Sequence, residues 1–303
     1  MLAVVTALAL ALLCGCGPKE DTTMHKGTSL SESASESDGL PEADAASAGA
    51  RVSFVDVGKG DCILVQAGES AALIDTGYDD TSGEVIAYLR SCGVERLDCL
   101  VITHYDKDHV GGLRAIGQAI PIDAVYLPNY TGADKPYRTV KKAVDDLGLP
   151  ARQVTAELVI PLGSAELSIF PSSVTFVPDA NGDEGNDNDL SLVATLSAGS
   201  DSYLFAGDLE EEGIEAFLEA GHGAFDVLKM PHHGEKSSNT DELLDDVKPQ
   251  VVVITDGEDD PAEKKTLKLL KGMDVDVYRT STDGTIVVEG DGAGGYVVST
   301  DDR

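Results

Sequence analysis

The sequence predicts an α/β fold in which short β-strands alternate with amphipathic helices. Three observations predict it. Short apolar runs bounded by glycine or polar residues recur along the chain, and stretches with helical periodicity separate several of them. Side chains that can bind a metal ion stand where these strands end. The hydrophobic content of 42% and the charged content of 25% are typical of a globular chain.

The N-terminal segment, residues 1–16, resembles the signal peptide and lipobox of a bacterial lipoprotein. Residues 1–13 are almost wholly apolar, but too few to span a bilayer as a mature helix, and Cys14-Gly15-Cys16 follows. The resemblance implies cleavage after Gly15 and a lipid on Cys16, which anchors an exported chain on the outer face of the cell membrane. No Lys or Arg precedes the apolar run, so a start upstream of Met1 and a plain secretory signal stay open as alternatives.

The next segment, residues 17–49, is rich in Ser, Ala, Asp, Glu and Gly and has hardly any large apolar side chain. Such a segment cannot bury enough apolar surface to offset the entropy that ordering costs. We therefore predict a disordered acidic linker here, and a folded domain over residues 50–303.

Strands open the predicted domain, and three of them follow from alternating or apolar patterns: residues 51–57, 62–65 and 71–74. An aspartate stands beside a turn at each strand: Asp56, Asp61 and Asp75. Asx hydrogen bonds in turns explain these aspartates without a further role. A helix is expected over residues 83–92.

The central stretch of the domain is residues 103–112, Thr-His-Tyr-Asp-Lys-Asp-His-Val-Gly-Gly, which follows an apolar strand at residues 97–102. It carries four candidate metal ligands: His104, Asp106, Asp108 and His109. Imidazoles and carboxylates packed this closely need a positive partner, and a divalent cation accepts both. The alternative is an Asp-rich surface loop with two incidental histidines, although the whole chain has only six histidines.

The remaining elements continue the alternation. Strands are predicted at residues 124–128, 191–196, 201–205, 225–230, 251–255, 275–280 and 285–289, with several short ones within 151–178, and helices at residues 113–119, 135–147, 209–220 and 261–271. Residues 179–189 are predicted to form a polar loop. The helix at 135–147 carries Lys135, Arg138, Lys141 and Lys142, and this basic face meets either an anionic substrate or solvent.

The charge of the chain limits its partners. With 54 acidic and 22 basic residues the net charge is -32, and such a surface repels polyanions. Tight non-specific DNA binding is therefore not expected unless basic residues cluster locally. Solubility or adaptation to a salty environment also explains the acidity.

Ligand-capable residues at successive strand ends line up: the central motif, residues 186–189, Asp208, and His232 with His233. In this order they resemble the metallo-β-lactamase fold superfamily, and within it the hydrolase domain of the ComEC type of competence protein and its secreted relatives. The stretches that carry the resemblance, besides the central motif, are residues 54–61, 73–77, 188–193, 205–208 and 229–234.

This resemblance implies an αββα sandwich of two mixed sheets with helices outside, and two divalent metal ions, zinc or manganese. His104 and Asp106 would hold one ion, Asp108 and His109 the other, and Asp208 would bridge them. His232 would complete the second site, with His233 as the competing candidate. Asn188 or a neighbouring aspartate stands where the superfamily has a further histidine, so occupancy by a single metal ion stays open.

The function that the resemblance implies is metal-dependent hydrolysis of a phosphoester, in nucleic acid or in a phosphate-containing envelope polymer. Asp108 or Asp208 would orient the attacking water, and His233 and Lys229 would contact the substrate or protonate the leaving group. No obligate protein partner is inferred. The alternatives are a choline-phosphate esterase acting on teichoic acid and a surface binding protein without useful turnover, while β-lactamase activity is disfavoured.

Overall fold

Two β-sheets lie face to face at the centre of the computed structural model, which describes residues 49–177 and 185–301. The predicted signal peptide with Cys16, the linker up to residue 48 and residues 179–184 of the polar loop lie outside the described residues. The division of the chain at residue 50 therefore stays a prediction. Across the described ranges, none of the helices combines the length and apolarity that crossing a membrane requires.

The strands of the described residues are β1 Arg51–Phe54, β2 Ile63–Ala67, β3 Ser70–Ile74, β4 Cys99–Val101, β5 Val125–Leu127, β6 Ala151–Gln153, β7 Leu158–Leu162, β8 Ala165–Phe170, β9 Val193–Ala198, β10 Asp201–Phe205, β11 Val227–Lys229, β12 Val251–Ile254, β13 Asp276–Arg279, β14 Ile286–Gly290 and β15 Tyr296–Thr300. One sheet has the order β15-β14-β1-β2-β3-β4-β5-β6 and the other β13-β12-β11-β10-β9-β8-β7. Both sheets are mixed, as predicted. Strands β3 to β6 run parallel in the first sheet, and β10 to β13 in the second.

The helices of the described residues are α1 Ser82–Ser91, α2 Lys107–Val110, α3 Leu113–Ala119, α4 Lys135–Leu147, α5 Glu211–Ala220, α6 Thr240–Val247, α7 Lys264–Leu270 and α8 Thr280–Asp283, with 3₁₀ turns at Asn188–Leu190 and Pro231–Gly234. Helix α4 has the predicted bounds because both of its ends carry local signals. Asp134 caps its N-terminus by accepting a hydrogen bond from the Tyr137 amide, and Gly148 ends it in a left-handed conformation with φ 62°. Helix α6 and strand β15 were not predicted.

Three apolar cores separate the layers. Side chains from both sheets, among them Phe54 and Phe205, fill the space between the sheets. Helices α1, α3 and α4 cover the outer face of the first sheet through residues such as Leu89. Helices α5, α6 and α7 cover the second sheet through residues such as Ile214. The predicted αββα sandwich is therefore confirmed.

Candidate metal centre

The functional residues gather where the parallel strands of both sheets end. Asp75 follows β3, His104 follows β4, Asp208 follows β10, His233 follows β11 and Thr255 follows β12. Ligand sites in α/β sheets lie outside the carboxyl ends of the strands, since loops leave the sheet there and expose backbone and side chains together. Here both sheets contribute the carboxyl ends of strands to a single site.

At the centre of this site, one carboxylate contacts two imidazoles. The Oδ2 atom of Asp208 lies 3.2 Å from Nε2 of His109 and 3.0 Å from Nε2 of His233. The two Nε2 atoms are 3.3 Å apart. Asp108 Oδ2 lies 3.6 Å from Nε2 of His233, and His104 offers a ligand atom within 4.8 Å of those of His109 and Asp208. We call these five residues the His–Asp cluster.

His109 is held by a carboxylate behind it. Its Nδ1 lies 2.8 Å from Oδ2 of Asp75, and Asp75 also accepts hydrogen bonds from the backbone amide and the hydroxyl of Thr103. The carboxylate accepts the proton on Nδ1, so the lone pair of the neutral ring is on Nε2 and faces Asp208. Such carboxylate–histidine pairs orient metal ligands in many proteins.

His233 is oriented in the same way by a different group. Its Nδ1 lies 2.9 Å from the carbonyl oxygen of Thr255, which can only accept a hydrogen bond. The Thr255 hydroxyl in turn donates to Oδ1 of Asp61 over 2.6 Å. In a neutral His233 the lone pair is therefore also on Nε2, which lies 3.3 Å from Nε2 of His109.

His104 leaves one ring nitrogen without a partner. Its Nδ1 lies 3.1 Å from the Thr103 hydroxyl and 3.3 Å from the Ser191 hydroxyl. Its Nε2 is buried and has no hydrogen-bond partner among the described residues, and Oδ2 of Asp106 lies 3.8 Å away. A buried polar atom without a partner is costly, and this one is on the side of the ring that faces the cluster.

This donor set fits divalent metal ions. The three imidazoles and two carboxylates of the His–Asp cluster crowd their polar atoms together unfavourably unless a cation or a proton joins them. Two ligand atoms that each lie about 2.1 Å from one zinc ion are about 3.4 Å apart in a tetrahedral site, close to the 3.3 Å between the two Nε2 atoms. Histidine and carboxylate together accept zinc or manganese.

Lys229 lies under the cluster rather than beside a substrate. Its side chain has no exposed surface, and Nζ lies 2.6 Å from Oδ2 of Asp61 and 3.3 Å from Oδ1 of Asp208. Burial alone lowers the pKa of Lys229, but these two carboxylates outweigh burial and raise it, so the ammonium stays charged. In place of the predicted substrate contact, the geometry allows Lys229 to hold Asp208.

Asp208 is correspondingly held as a carboxylate. Burial alone raises its pKa, but His109, His233 and Lys229 outweigh burial and keep the pKa of Asp208 well below its usual range. One of its oxygens faces Lys229 and the other faces the two histidines. Its backbone amide donates to the Ser191 hydroxyl, so the residue is fixed on three sides.

Two of the predicted ligands, Asn188 and His232, lie outside the His–Asp cluster and meet at a glutamate. Nδ1 of His232 lies 3.2 Å from Oε1 of Glu210, and the Asn188 amide donates to the same oxygen over 3.0 Å. The side chain of His232 is 19% exposed. Neighbouring imidazoles therefore have different surroundings, with His233 inside the cluster and His232 at its rim.

Four further residues belong to the site and were not predicted to: Asp61, Asp75, Thr255 and Glu210. Both aspartates are fully buried here and hold the groups behind the metal ligands, whereas the sequence alone favoured a role in turns. Their position at strand ends inside the stretches quoted for the resemblance was the available signal. Gly60 contributes by its size, since a Cβ there would lie 2.7 Å from the Asp108 carbonyl oxygen.

The chain matches the family model of the metallo-beta-lactamase superfamily over residues 55–254. It is 27% identical to ComE operon protein 3 of Bacillus subtilis over 257 residues, which cover 78% of this chain and 32% of that protein. It is 28% identical to competence protein ComA of Neisseria gonorrhoeae over 260 residues, 85% of this chain and 33% of that protein. The predicted resemblance to competence proteins of the ComEC type is confirmed, and the chain spans about a third of the length of these relatives.

Solved structures agree on the fold. The metallo-beta-lactamase fold protein YhfI of Bacillus subtilis superimposes with a TM-score of 0.55 at 13% identity, covering 80% of this chain and 100% of YhfI. Zn(2+)-bound PqqB of Methylobacterium extorquens gives a TM-score of 0.50 at 15% identity, covering 74% of this chain and 86% of PqqB. At these identities the likeness shows the fold alone.

Replacing Lys229 by methionine is expected to destabilise the metal-free chain. The substitution keeps the volume but leaves Asp61 and Asp208 buried without their shared cation. Removing one partner of a buried ion pair costs about 3–5 kcal/mol, which urea denaturation measures directly. Lys142→Met is the control, because Lys142 is exposed and its loss should cost under about 0.5 kcal/mol. Equal stability of the two variants would contradict the role of Lys229.

Metal binding to the cluster is expected to release protons. Burial alone lowers the pKa of His109, but Asp208 and Asp75 outweigh burial and raise it well above the ordinary value. The metal-free chain therefore keeps a proton that a metal ion must displace. Below that raised pKa, affinity should rise about tenfold per pH unit for each displaced proton. Calorimetry in buffers with different ionisation enthalpies measures the release, and an affinity independent of pH would contradict it.

Proposed function

The chain belongs to the metallo-beta-lactamase superfamily, and from this premise we propose that it is a metal-dependent phosphodiesterase. Its substrate is a phosphodiester in nucleic acid or in a phosphate-containing polymer of the cell envelope. The similarity to competence proteins supports a phosphodiester substrate. Because the chain spans about a third of those relatives, their complete activities are not carried over to it.

One observation carries the proposal: two buried imidazole nitrogens, 3.3 Å apart, converge on a single carboxylate oxygen of Asp208. Both imidazoles are held from behind by groups that accept the Nδ1 proton. This convergence is unfavourable without a cation, and a cleft that gathers metal ligands at strand ends is suited to hydrolysis. A surface that only binds a partner does not require it.

We assign the ligands as follows. Asp108, His109 and His233 would hold one ion, His104 and Asp106 would hold another, and Asp208 would serve both. The 3.6 Å distance from Asp108 to His233 supports the first set. The second set has fewer fixed ligands, because Asp106 is 34% exposed and 3.8 Å from His104, so it would hold its ion more weakly. Zinc and manganese both suit these ligands.

Metal ions bound by these ligands supply Lewis acidity, which activates water and offsets the charge that develops on phosphorus. The residues of the chain position the reacting groups. Lys229 and the Ser191 hydroxyl keep Asp208 in one orientation, and Asp108 at the cleft accepts a hydrogen bond from the attacking water. His232, partly exposed and held by Glu210, donates a hydrogen bond to a phosphate oxygen of the substrate.

The location of the protein is part of the proposal. Export and an anchor through a lipid on Cys16 rest on the sequence of residues 1–16 alone. Outside the cell an anchored hydrolase meets both nucleic acid and envelope polymers. The net charge of -32 disfavours a long, high-affinity contact with polyanions, so we expect short-range engagement and release rather than processive degradation.

Hydrolysis of bis(p-nitrophenyl) phosphate tests the activity. We expect no turnover in the chain stripped of metal, and turnover after reloading with zinc or manganese, measured by release of nitrophenolate. Asp208→Asn should reduce turnover by at least about 100-fold, because the amide removes the shared negative ligand while keeping its shape.

Asp123→Asn is the matched control for that experiment. Asp123 pairs with Arg96 on the surface, so the same chemical change there should leave turnover unaltered. Both variants are compared at equal thermal stability. If metal binds the parent chain but no metal restores turnover, the phosphodiesterase proposal is wrong, and a binding protein that retains the metal site is favoured.

Separate substitutions of the two neighbouring histidines test the ligand assignment. His233→Asn should lower the metal content of the chain, measured by plasma mass spectrometry, because it removes a ligand to the cluster. His232→Asn should keep the metal and slow turnover by about 100-fold. His222→Asn is the control, since His222 packs between Phe170 and Phe217. Loss of metal from the His232 variant alone would reverse the assignment.

A further inference from the structure

A cavity of about 410 Å³ lies between helix α4 and the ends of strands β5 and β6. We call it the α4 cavity, and the residues that matter are Tyr105, Tyr137, Lys141, Asp145 and Arg152, all of which line it. Its volume falls within the range of about 300–1,000 Å³ that is usual for ligand sites. It is not part of the His–Asp cluster.

The α4 cavity adjoins the cluster through one residue. Tyr105 lines the cavity, while its chain neighbours His104 and Asp106 belong to the candidate metal centre. Strands β4, β5 and β6 are parallel neighbours, so their carboxyl ends lie at the same edge of the sheet. The cavity and the cluster therefore both lie toward the carboxyl edge of the first sheet.

Two basic side chains line the cavity together with a single acidic one. Lys141 and Arg152 line it, and across residues 49–177 and 185–301 neither forms an ion pair with a carboxylate. Asp145 is the acidic group on the wall, which leaves the cavity with a net positive charge. In a chain of net charge -32, two unpaired cations in one cavity favour an anionic ligand.

Aromatic side chains complete the wall. The rings of Tyr105 and Tyr137 are 5.0 Å apart at 83°, and Tyr137 is partly exposed. The Arg152 guanidinium lies over the ring of Tyr126, 4.9 Å from its centre, and donates to its hydroxyl. Arg152 is therefore oriented before a ligand arrives. Flat rings beside cations are the means by which proteins hold single-stranded nucleic acid, since bases stack and phosphates pair.

We propose that the α4 cavity binds a nucleotide unit of a single-stranded nucleic acid whose scissile phosphodiester lies at the His–Asp cluster. Lys141 and Arg152 pair with its phosphates, and its base stacks on Tyr137. The inference rests on the proposed phosphodiesterase function and selects nucleic acid between its two substrate classes. A polyol phosphate of the envelope has phosphates but no ring to stack, so it uses only the cations.

Binding is measured without cleavage in the full-length Asp208→Asn chain, by fluorescence anisotropy of a short labelled single-stranded oligodeoxynucleotide. We expect Lys141→Gln with Arg152→Gln to raise Kd about tenfold at low salt. The slope of log K against log salt should fall by about 1.4, since each phosphate contact on a single strand contributes about 0.7. Lys142→Gln is the matched control, because that ammonium pairs with Asp146 and does not line the cavity.

Tyr137→Leu tests the choice of nucleic acid. It keeps apolar volume against Tyr105 but removes the ring, and we expect Kd for the oligonucleotide to rise at least about fivefold. Competition by poly(glycerol phosphate) should be weak and unchanged by this substitution. If poly(glycerol phosphate) competes as well as the oligonucleotide at equal phosphate concentration, and Tyr137→Leu alters neither, the proposal is overturned.

The same variants with Asp208 retained separate this inference from the proposed function. Bis(p-nitrophenyl) phosphate has no further nucleotide unit to occupy the cavity, so its turnover should be unaffected by substitutions at Lys141 and Arg152. If this ester is turned over normally and the double variant binds the oligonucleotide as well as the parent chain does, the cavity proposal is overturned. The phosphodiesterase proposal then stands. If the metal-loaded parent chain does not hydrolyse the ester, the proposed function is overturned. The anisotropy measurement still tests whether the cavity binds the oligonucleotide.

Discussion

The buried carboxylate of Asp208 is the constraint on which the rest of the site depends. One of its oxygens faces the ammonium of Lys229 and the other faces the imidazoles of His109 and His233. A buried charge is tolerated only if it is paired and hydrogen-bonded. Each neighbour of Asp208 therefore needs its own partner, and these partners form the layer behind the cluster: Asp61, Asp75, Thr103, Ser191 and Thr255.

The backbone of the site is held in conformations that ordinary residues seldom adopt. Asp75, His232 and His233 have φ values of 57°, 46° and 51°. Each such residue costs about 1–3 kcal/mol and persists only where its surroundings determine it. Here the turn after β11 directs two successive imidazoles to different partners, one to Asp208 and one to Glu210. The backbone strain at His232 and His233 thus accompanies their separation, with His233 in the cluster and His232 beside Glu210.

The acidity of the chain and the proposed chemistry are compatible, because the negative charge near the cleft is largely neutralised within it. Lys229 offsets part of the carboxylate charge, and bound metal ions would offset more. Lys141 and Arg152 line the α4 cavity and form no ion pair with a carboxylate of the described residues. The remaining surface repels polyanions. A substrate is therefore attracted over a short distance only, which suits a hydrolase that must release a charged product.

The order of most strands and helices could be predicted from the sequence pattern, and the αββα fold and most of the site residues from the family resemblance of its motifs. Helix α4 was predicted with its observed bounds because its cap and its C-terminal glycine are local signals. Helix α6 was missed, because its many acidic residues obscure the apolar stripe of Leu243, Leu244 and Val247. The central motif was recognisable since four ligand-capable side chains stand within six residues.

Which of two neighbouring histidines enters the cluster depends on the tertiary structure. Sequence distance cannot separate His232 from His233, and only the left-handed turn directs His233 to Asp208. Asp61 meets Thr255 across 194 residues of sequence, and His109 meets His233 across 124. Lys229 was expected to contact the substrate or protonate the leaving group, yet it ends strand β11 and is buried. Such contacts depend on how two sheets pack together, which no local pattern contains.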